Sequence, residues 1–261
     1  AGVYKAACSL GADKVYGMKY GIEGLLKEEM LELNVLLDDR MSIELLKRTP
    51  SSYLGSCRYK LPDPDVDSTP FIKLFTLFDK YDICALFYIG GNDSMDTIAK
   101  LSRYGAQVGS SVRFIGVPKT IDNDIYGTDV TFGFHTAVDI ATEVIDRIHT
   151  TAGSHSRVMC IEIMGNKAGW LTLYSGIAGG ADIILLPEQP YDIDRVCEAV
   201  ERRAKRGSNF SIIAVAEGAM NVDEAKLKRK EWAAKRAEAG YTTATNRIAA
   251  AVQKKTGMET R

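Results

Sequence analysis

The sequence predicts an α/β protein of the doubly wound type, with mostly parallel strands between layers of helix. Three observations predict it. Short apolar runs rich in Val and Ile recur along the 261 residues. They are nearly continuous rather than alternating, which suits parallel strands covered on both faces. Stretches of helical periodicity separate them, which argues for strand–helix–strand units.

In chain order, "AGVYKAACSLGA" (1–12) reads as a helix and "KVYGM" (14–18) as the first strand. "LPDPDVDSTP" (61–70) is a surface loop rich in Pro and Asp. "ICALFYI" (83–89) is a strand leading into a helix from Ser94 to Gly105. "VRFIGV" (112–117) is the next strand. The long helix after Thr131 puts Phe134, Val138, Ala141, Val144, Ile145 and Ile148 on one stripe and ends near Gly153. "RVMCIEI" (157–163), "DIILL" (182–186) and "SIIAVA" (211–216) complete the strands. "NVDEAKLKRKEWAAKRAEAG" (221–240) reads as a helix capped by Asn221 and Glu224 and stopped by Gly240. Its acids and bases interleave, as on a solvated surface helix rather than a nucleic-acid contact.

Composition narrows the function classes. With 33 basic and 34 acidic residues the net charge is −1, so no global field recruits nucleic acid or a membrane surface. No window approaches ~18 uninterrupted apolar residues, and no signal peptide opens the chain, so neither a membrane span nor export is expected. The five cysteines are scattered with no C-x-x-C pair, which predicts reduced, mostly buried thiols in a cytoplasmic protein.

Doubly wound folds bind ligands beyond the carboxyl ends of their strands. Four loops there carry chemistry. In "YIGGNDSMDT" (88–97), Gly90 and Gly91 let an anion approach a helix N-terminus, or they form a tight turn with Asp93 or Ser94 as cap. In "PKTIDND" (118–124), Asp122 and Asp124 could bind a divalent cation or divide base and ligand roles. Lys119 there suits a phosphate and Thr120 offers a hydroxyl, while an Asx turn is the plain alternative. "RVMCIEIMGNKAGWL" (157–171) adds a second glycine loop, with Arg157 as a phosphate fork or a surface residue. Glu217 follows the strand of "AVAEGA" (214–219), pointing where the other loops point or simply solvated. Together they describe a pocket for a phosphorylated ligand, a metal ion and a general base, which is phosphoryl-transfer equipment. No GxxxxGK[ST] and no HRD or DFG set is present.

"GGNDS", "PKTIDND", "MGNKAGWL", "AVAEG" and "GMETR", in that order, resemble the 6-phosphofructokinase family across nearly the whole chain. The resemblance implies two similar α/β domains with the active site in the cleft between them. It implies a donor domain over residues 1–132 and a sugar-phosphate domain over 133–261. It further implies a first strand and glycine loop ahead of Ala1 and a return segment after Arg261. Asp122 resembles the base that takes the proton of the sugar 1-hydroxyl, with Thr120 beside it. Asp124 resembles the carboxylate near Mg2+, the expected cofactor. "SSYLGSCRY" (51–59) places Arg58 where the family's arginine reaches the transferred phosphate. Arg157 and Arg261 resemble the arginines that grip the sugar 6-phosphate, commonly across a subunit interface. Met164 and Gly165 would line the sugar pocket and Glu217 would hold sugar hydroxyls. The implied partners are fructose 6-phosphate and a homodimer or homotetramer sharing its sugar sites.

Two positions bear on the phosphate donor. ATP-using members resemble "GGDGS" and "PGTIDND"; here Asp93 and Lys119 replace the small glycines. A carboxylate at 93 would crowd and repel a nucleotide's α-phosphate, and Lys119 could hold pyrophosphate instead, so the pyrophosphate-dependent branch is expected. Asn92 stands where an aspartate usually assists the metal, and Asn166 where an arginine is usual. These departures keep two alternatives open: an ATP-dependent enzyme, and a catalytically silent sugar-phosphate-binding subunit.

Overall fold

The computed structural model describes residues 1–238, 240–241 and 243–261. They form two compact units, Ala1–Pro118 and Lys119–Arg261. The unit border thus falls ahead of the expected domain border after residue 132. Residues 119–132 stay with the second unit: Lys119 bridges to Phe132, and Ile121 packs on the core that holds Phe134.

In the first unit, α1 (Gly2–Ser9) precedes β1 (Tyr16–Met18), α2 (Gly21–Leu26) and β2 (Met30–Glu32). β1 pairs antiparallel with β2. The run 14–18 therefore does not join a parallel sheet. Tyr20 and Gly21, both at positive φ, turn the chain as soon as β1 ends. Three helices follow, α3 (Leu33–Leu36), α4 (Arg40–Arg48) and α5 (Thr69–Lys80), and then β3 (Ala85–Gly90), α6 (Asn92–Gln107) and β4 (Arg113–Pro118). β3 and β4 are parallel, in register from Ala85 opposite Arg113 to Gly90 opposite Pro118.

Phe71, Leu74 and Phe78 of α5 and Leu101 of α6 are buried in one cluster with Leu86 of β3. Each such side chain gains roughly 1.5–3 kcal/mol from leaving water. The other face of β3 carries Phe87 and Ile89, both exposed. The continuous apolar run here is covered on one face only. α6 starts ahead of the expected Ser94 and passes Gly105 without stopping. A β-carbon at 105 would meet Phe114 at 2.9 Å, so this glycine serves close packing of α6 on β4 rather than a helix end.

The second unit runs α7 (Phe134–His155), β5 (Val158–Ile163), α8 (Trp170–Ala178), β6 (Ile183–Leu185), α9 (Ile193–Lys205) and β7 (Ser211–Ala216). The strands pair in the order β5-β7-β6, all parallel. Every residue of β7 is buried, as its sequence requires. On α7 the expected stripe buries Phe134 and Ile145 but leaves Val144 exposed. The helix continues past Gly153 to a left-handed turn at Ser156.

The single helix expected over 221–240 is broken. Asn221 and Glu224 do form the reciprocal cap: Glu224 N–H donates to Asn221 Oδ1 at 2.7 Å, and Asn221 N–H to Glu224 Oε2 at 3.0 Å. They cap only a short 3-10 turn, Glu224–Lys226, and α10 (Arg229–Glu238) starts afresh. Glu224 is drawn inward by Arg247, which donates to both carboxylate oxygens at 2.7 Å. Residue 239, within the expected helix, lies outside the described residues. α11 (Ala244–Thr256) then leads to Thr260, which bridges to Val158.

No cysteine is bridged; Cys197 is buried, but Cys8 and Cys84 are exposed, against expectation. No described helix is long and apolar enough to cross a membrane.

Candidate active site

The first unit holds a pocket of about 290 Å³ where β3 gives way to α6. Arg58, Lys60, Tyr88, Asp93 and Ser94 line it, together with Cys57. Three expected donor-binding residues, Arg58, Asp93 and Ser94, are therefore brought together. Gly90 ends β3 where a β-carbon would lie 2.1 Å from Ser94 Oγ, so only glycine lets the first turn of α6 sit this close. Gly91 is the extended residue ahead of the helix and its carbonyl accepts from Ser94 N–H at 3.0 Å. Asp93 sits in that first turn, where the helix dipole favours a negative charge. Its carboxylate accepts from Lys60 Nζ at 2.9 Å. Burial pushes the Tyr88 hydroxyl up to about 12, so it stays neutral. Sequence reasoning missed Lys60, whose single signal was its place beside Arg58.

The polar cluster of the second unit is built on the loop that follows β4. Ile121 and Ile125 anchor the loop inward, leaving Asp122 and Asp124 half-buried. Asp122 N–H donates to Thr120 Oγ1 at 3.1 Å. Asn123 adopts a left-handed conformation at φ 53, which Asn tolerates better than most residues. Its Oδ1 accepts from Thr131 N–H at 2.8 Å, and Thr131 Oγ1 donates to the Thr120 carbonyl at 2.8 Å. This staple fixes both ends of the loop. Neither Asn123 nor Thr131 was expected to matter; the Asn between two Asp residues was the one visible signal. Lys119 is exposed at the loop's start.

Asp122, the expected base, has its carboxyl pushed above the usual range. Burial is the main cause, followed by the negative charges of Asp124 and Glu217; the Thr120 hydroxyl works in the opposite direction. A raised value makes a stronger base. Glu217 follows β7, whose last residue Ala216 pairs with Ile163 of β5. Its Oε1 accepts from Gly165 N–H at 3.2 Å and also from Asn166 N–H. Glu217 thus clamps the 164–169 loop. Gly165 at φ 148 and Asn166 at φ 52 give that loop its tight shape. Met164 stays exposed at its start.

Arg157 and Arg261 are grouped separately. Arg157 Nη2 and Arg261 Nη2 both contact Glu259 Oε1 at 2.9 Å. Among the described residues, Arg157 Nε is buried with no partner. Arg157 lies at the amino end of β5, whereas Met164 and Glu217 lie at the carboxyl end. Six residues at about 3.3 Å each separate the two ends by roughly 20 Å. One copy of the chain does not gather these arginines with Met164 and Glu217.

The residues suit a hard divalent cation in part. Asp122 and Asp124 offer oxygen donors, and their repulsion with Glu217 is what a cation would relieve. Among the described residues, no group of three or more His, Cys, Asp or Glu could hold an ion by itself. Mg2+ keeps several waters and takes one or two carboxylates with substrate phosphates. Asn92, the second expected ligand, opens α6 in the first unit.

The Phosphofructokinase family profile matches residues 1–261. An ATP-dependent 6-phosphofructokinase of Spirochaeta thermophila is 43% identical over 267 residues, covering 100% of this chain and 70% of that protein. One from Propionibacterium freudenreichii subsp. shermanii, also named ATP-dependent, is 39% identical, covering 100% and 72%. Two solved structures are titled as pyrophosphate-dependent phosphofructokinases. That of Marinobacter aquaeolei is 29% identical with a TM-score of 0.80. That of Nitrosospira multiformis is 27% identical with a TM-score of 0.83. Each is matched over 99% of this chain, which spans 62% of its length.

Proposed function

From membership of the phosphofructokinase family, to which this chain belongs, we propose that the protein transfers a phosphoryl group from pyrophosphate to the 1-hydroxyl of fructose 6-phosphate. Asp122 carries the transfer reading: it is a half-buried carboxylate made more basic by burial and two neighbouring acids. It takes the hydroxyl proton as the sugar oxygen bonds to phosphorus and the bond to the departing orthophosphate breaks. Thr120 orients the hydroxyl. Arg58 and Lys119 offset charge on the phosphates, with Gly90, Gly91 and Ser94 shaping the donor site. Mg2+ would be held through Asp124 and would supply further charge neutralisation.

Met164, Gly165 and Glu217 bind the sugar. Its 6-phosphate is gripped by Arg157 and Arg261 of a second copy. The separation of these arginines from the sugar loop along β5 supports that sharing. The unbridged cysteines suit a reducing cytoplasm.

The donor assignment rests on Asp93, a carboxylate in the same pocket as Arg58. ATP is the second reading, favoured by the names of the Spirochaeta and Propionibacterium relatives. Turnover of fructose 6-phosphate by the full-length protein with Mg2+ and either donor decides between them. Turnover with pyrophosphate is expected. Turnover with ATP alone sinks the donor assignment, and none with either donor sinks the enzyme reading in favour of a silent sugar-phosphate-binding subunit.

A further inference from the structure

A carboxylate in a pyrophosphate site poses a physical problem. Asp93 repels a nucleotide, but it repels pyrophosphate as well. The pocket contains an answer in Lys60, whose Nζ lies 2.9 Å from Asp93 Oδ1. The ionised side chains lining the pocket are Arg58, Lys60 and Asp93, giving a net charge of +1. Without Lys60, Arg58 and Asp93 cancel, and the lining of this pocket by itself offers a multiply charged anion no net attraction.

We propose that Lys60 is a specificity-determining residue of the donor site, neutralising Asp93 toward pyrophosphate while leaving its bulk in the way of a longer donor. The proposal rests on the pyrophosphate reading above. Both side chains of the pair are more than two-thirds exposed, at 71% and 74%. An exposed pair of this kind adds little to folding stability. Lys60 is therefore free to turn from Asp93 to an arriving phosphate, and its charge acts through a local field that salt weakens. With its charge offset, Asp93 discriminates by bulk, and Lys60 makes the carboxylate tolerable to the smaller donor.

The test is a double-mutant cycle in the full-length protein, read by calorimetric binding of inorganic pyrophosphate with Mg2+ and by the KM for each substrate. Lys60→Met is expected to weaken pyrophosphate binding about tenfold, with the KM for fructose 6-phosphate unchanged. In an Asp93→Asn background the same change is expected to cost less than about threefold, because the charge it neutralises is gone. Lys60→Arg should restore most of the affinity, and the penalty should shrink as salt rises. Unchanged pyrophosphate affinity in Lys60→Met, in a protein that turns over with pyrophosphate, overturns the role of Lys60 and leaves the donor reading standing. An equal penalty in both backgrounds also overturns it, since Lys60 would then act independently of Asp93. A wild-type protein that binds and uses ATP but not pyrophosphate overturns both readings together.

Discussion

Gly218→Ala isolates the clamp between Glu217 and the loop that begins at Met164. A β-carbon at 218 would lie 2.2 Å from the Asn166 carbonyl oxygen and 3.2 Å from Pro187 Cγ. Atoms in contact sit roughly 3.5 Å apart, so that carbonyl must retreat by about 1 Å or more. Asn166 is also a residue whose amide donates to Glu217, with the Gly165 amide beside it. A retreat of this size breaks at least one charge-assisted hydrogen bond, worth roughly 1.5–3 kcal/mol. At about 1.4 kcal/mol per factor of ten, the KM for fructose 6-phosphate should rise about 10- to 100-fold. The assay is steady-state kinetics on the full-length protein, with calorimetric melting alongside. Gly153→Ala is the control. Its β-carbon would meet only Phe210, at 3.6 Å, inside α7, so KM should stay unchanged and the Tm unchanged or slightly higher. A Gly218→Ala protein with wild-type KM and Tm would refute the reasoning, because the loop would not depend on that clamp.

Asp122→Ser should lower turnover by roughly 10² or more, the usual cost of a lost general base; wild-type turnover would remove Asp122 from that role. Glu259→Gln should lower the Tm at neutral pH. The neighbouring Arg157, then Arg261, hold the Glu259 carboxyl below its usual range. A depressed folded-state value contributes stability that is present above the ordinary glutamate value and is lost as pH falls through the folded value. The Tm gap between wild type and Glu259→Gln should therefore narrow on acidification below the ordinary glutamate range, and a gap independent of pH would count against the pairing.

The strands that read as continuous Val and Ile runs were legible because burial on both faces leaves that mark. β7 carries it completely. The mark misleads where only one face is covered, as at Phe87 and Ile89, because an exposed apolar face looks the same in sequence. Glycines misled in a second way. Gly105 and Gly153 resemble helix stops, yet each sits within a helix, and at Gly105 close packing against Phe114 explains it. The candidate site was legible in its charged members, since Asp122, Asp124 and Glu217 follow strands whose ends could be located. Its supports were not. Asn123 and Thr131 act through backbone hydrogen bonds, and Lys60 and Glu259 through ion pairs. Only folding creates those partnerships.

The strand order β5-β7-β6 carries a consequence for how the chain is made. β5 and β6 leave the ribosome first, yet neither pairs with the other; both wait for β7. One edge of β5 waits longer still, for Glu259 and Arg261, whose backbones hydrogen-bond to Val158 and Cys160. Parallel pairing across such sequence separations is slow, because loop closure precedes any gain from the contacts. During synthesis the second unit therefore holds unpaired strand edges until the segment from Glu259 onward has emerged. That interval, rather than any weakness of the finished core, is when this unit is most open to aggregation and to chaperones.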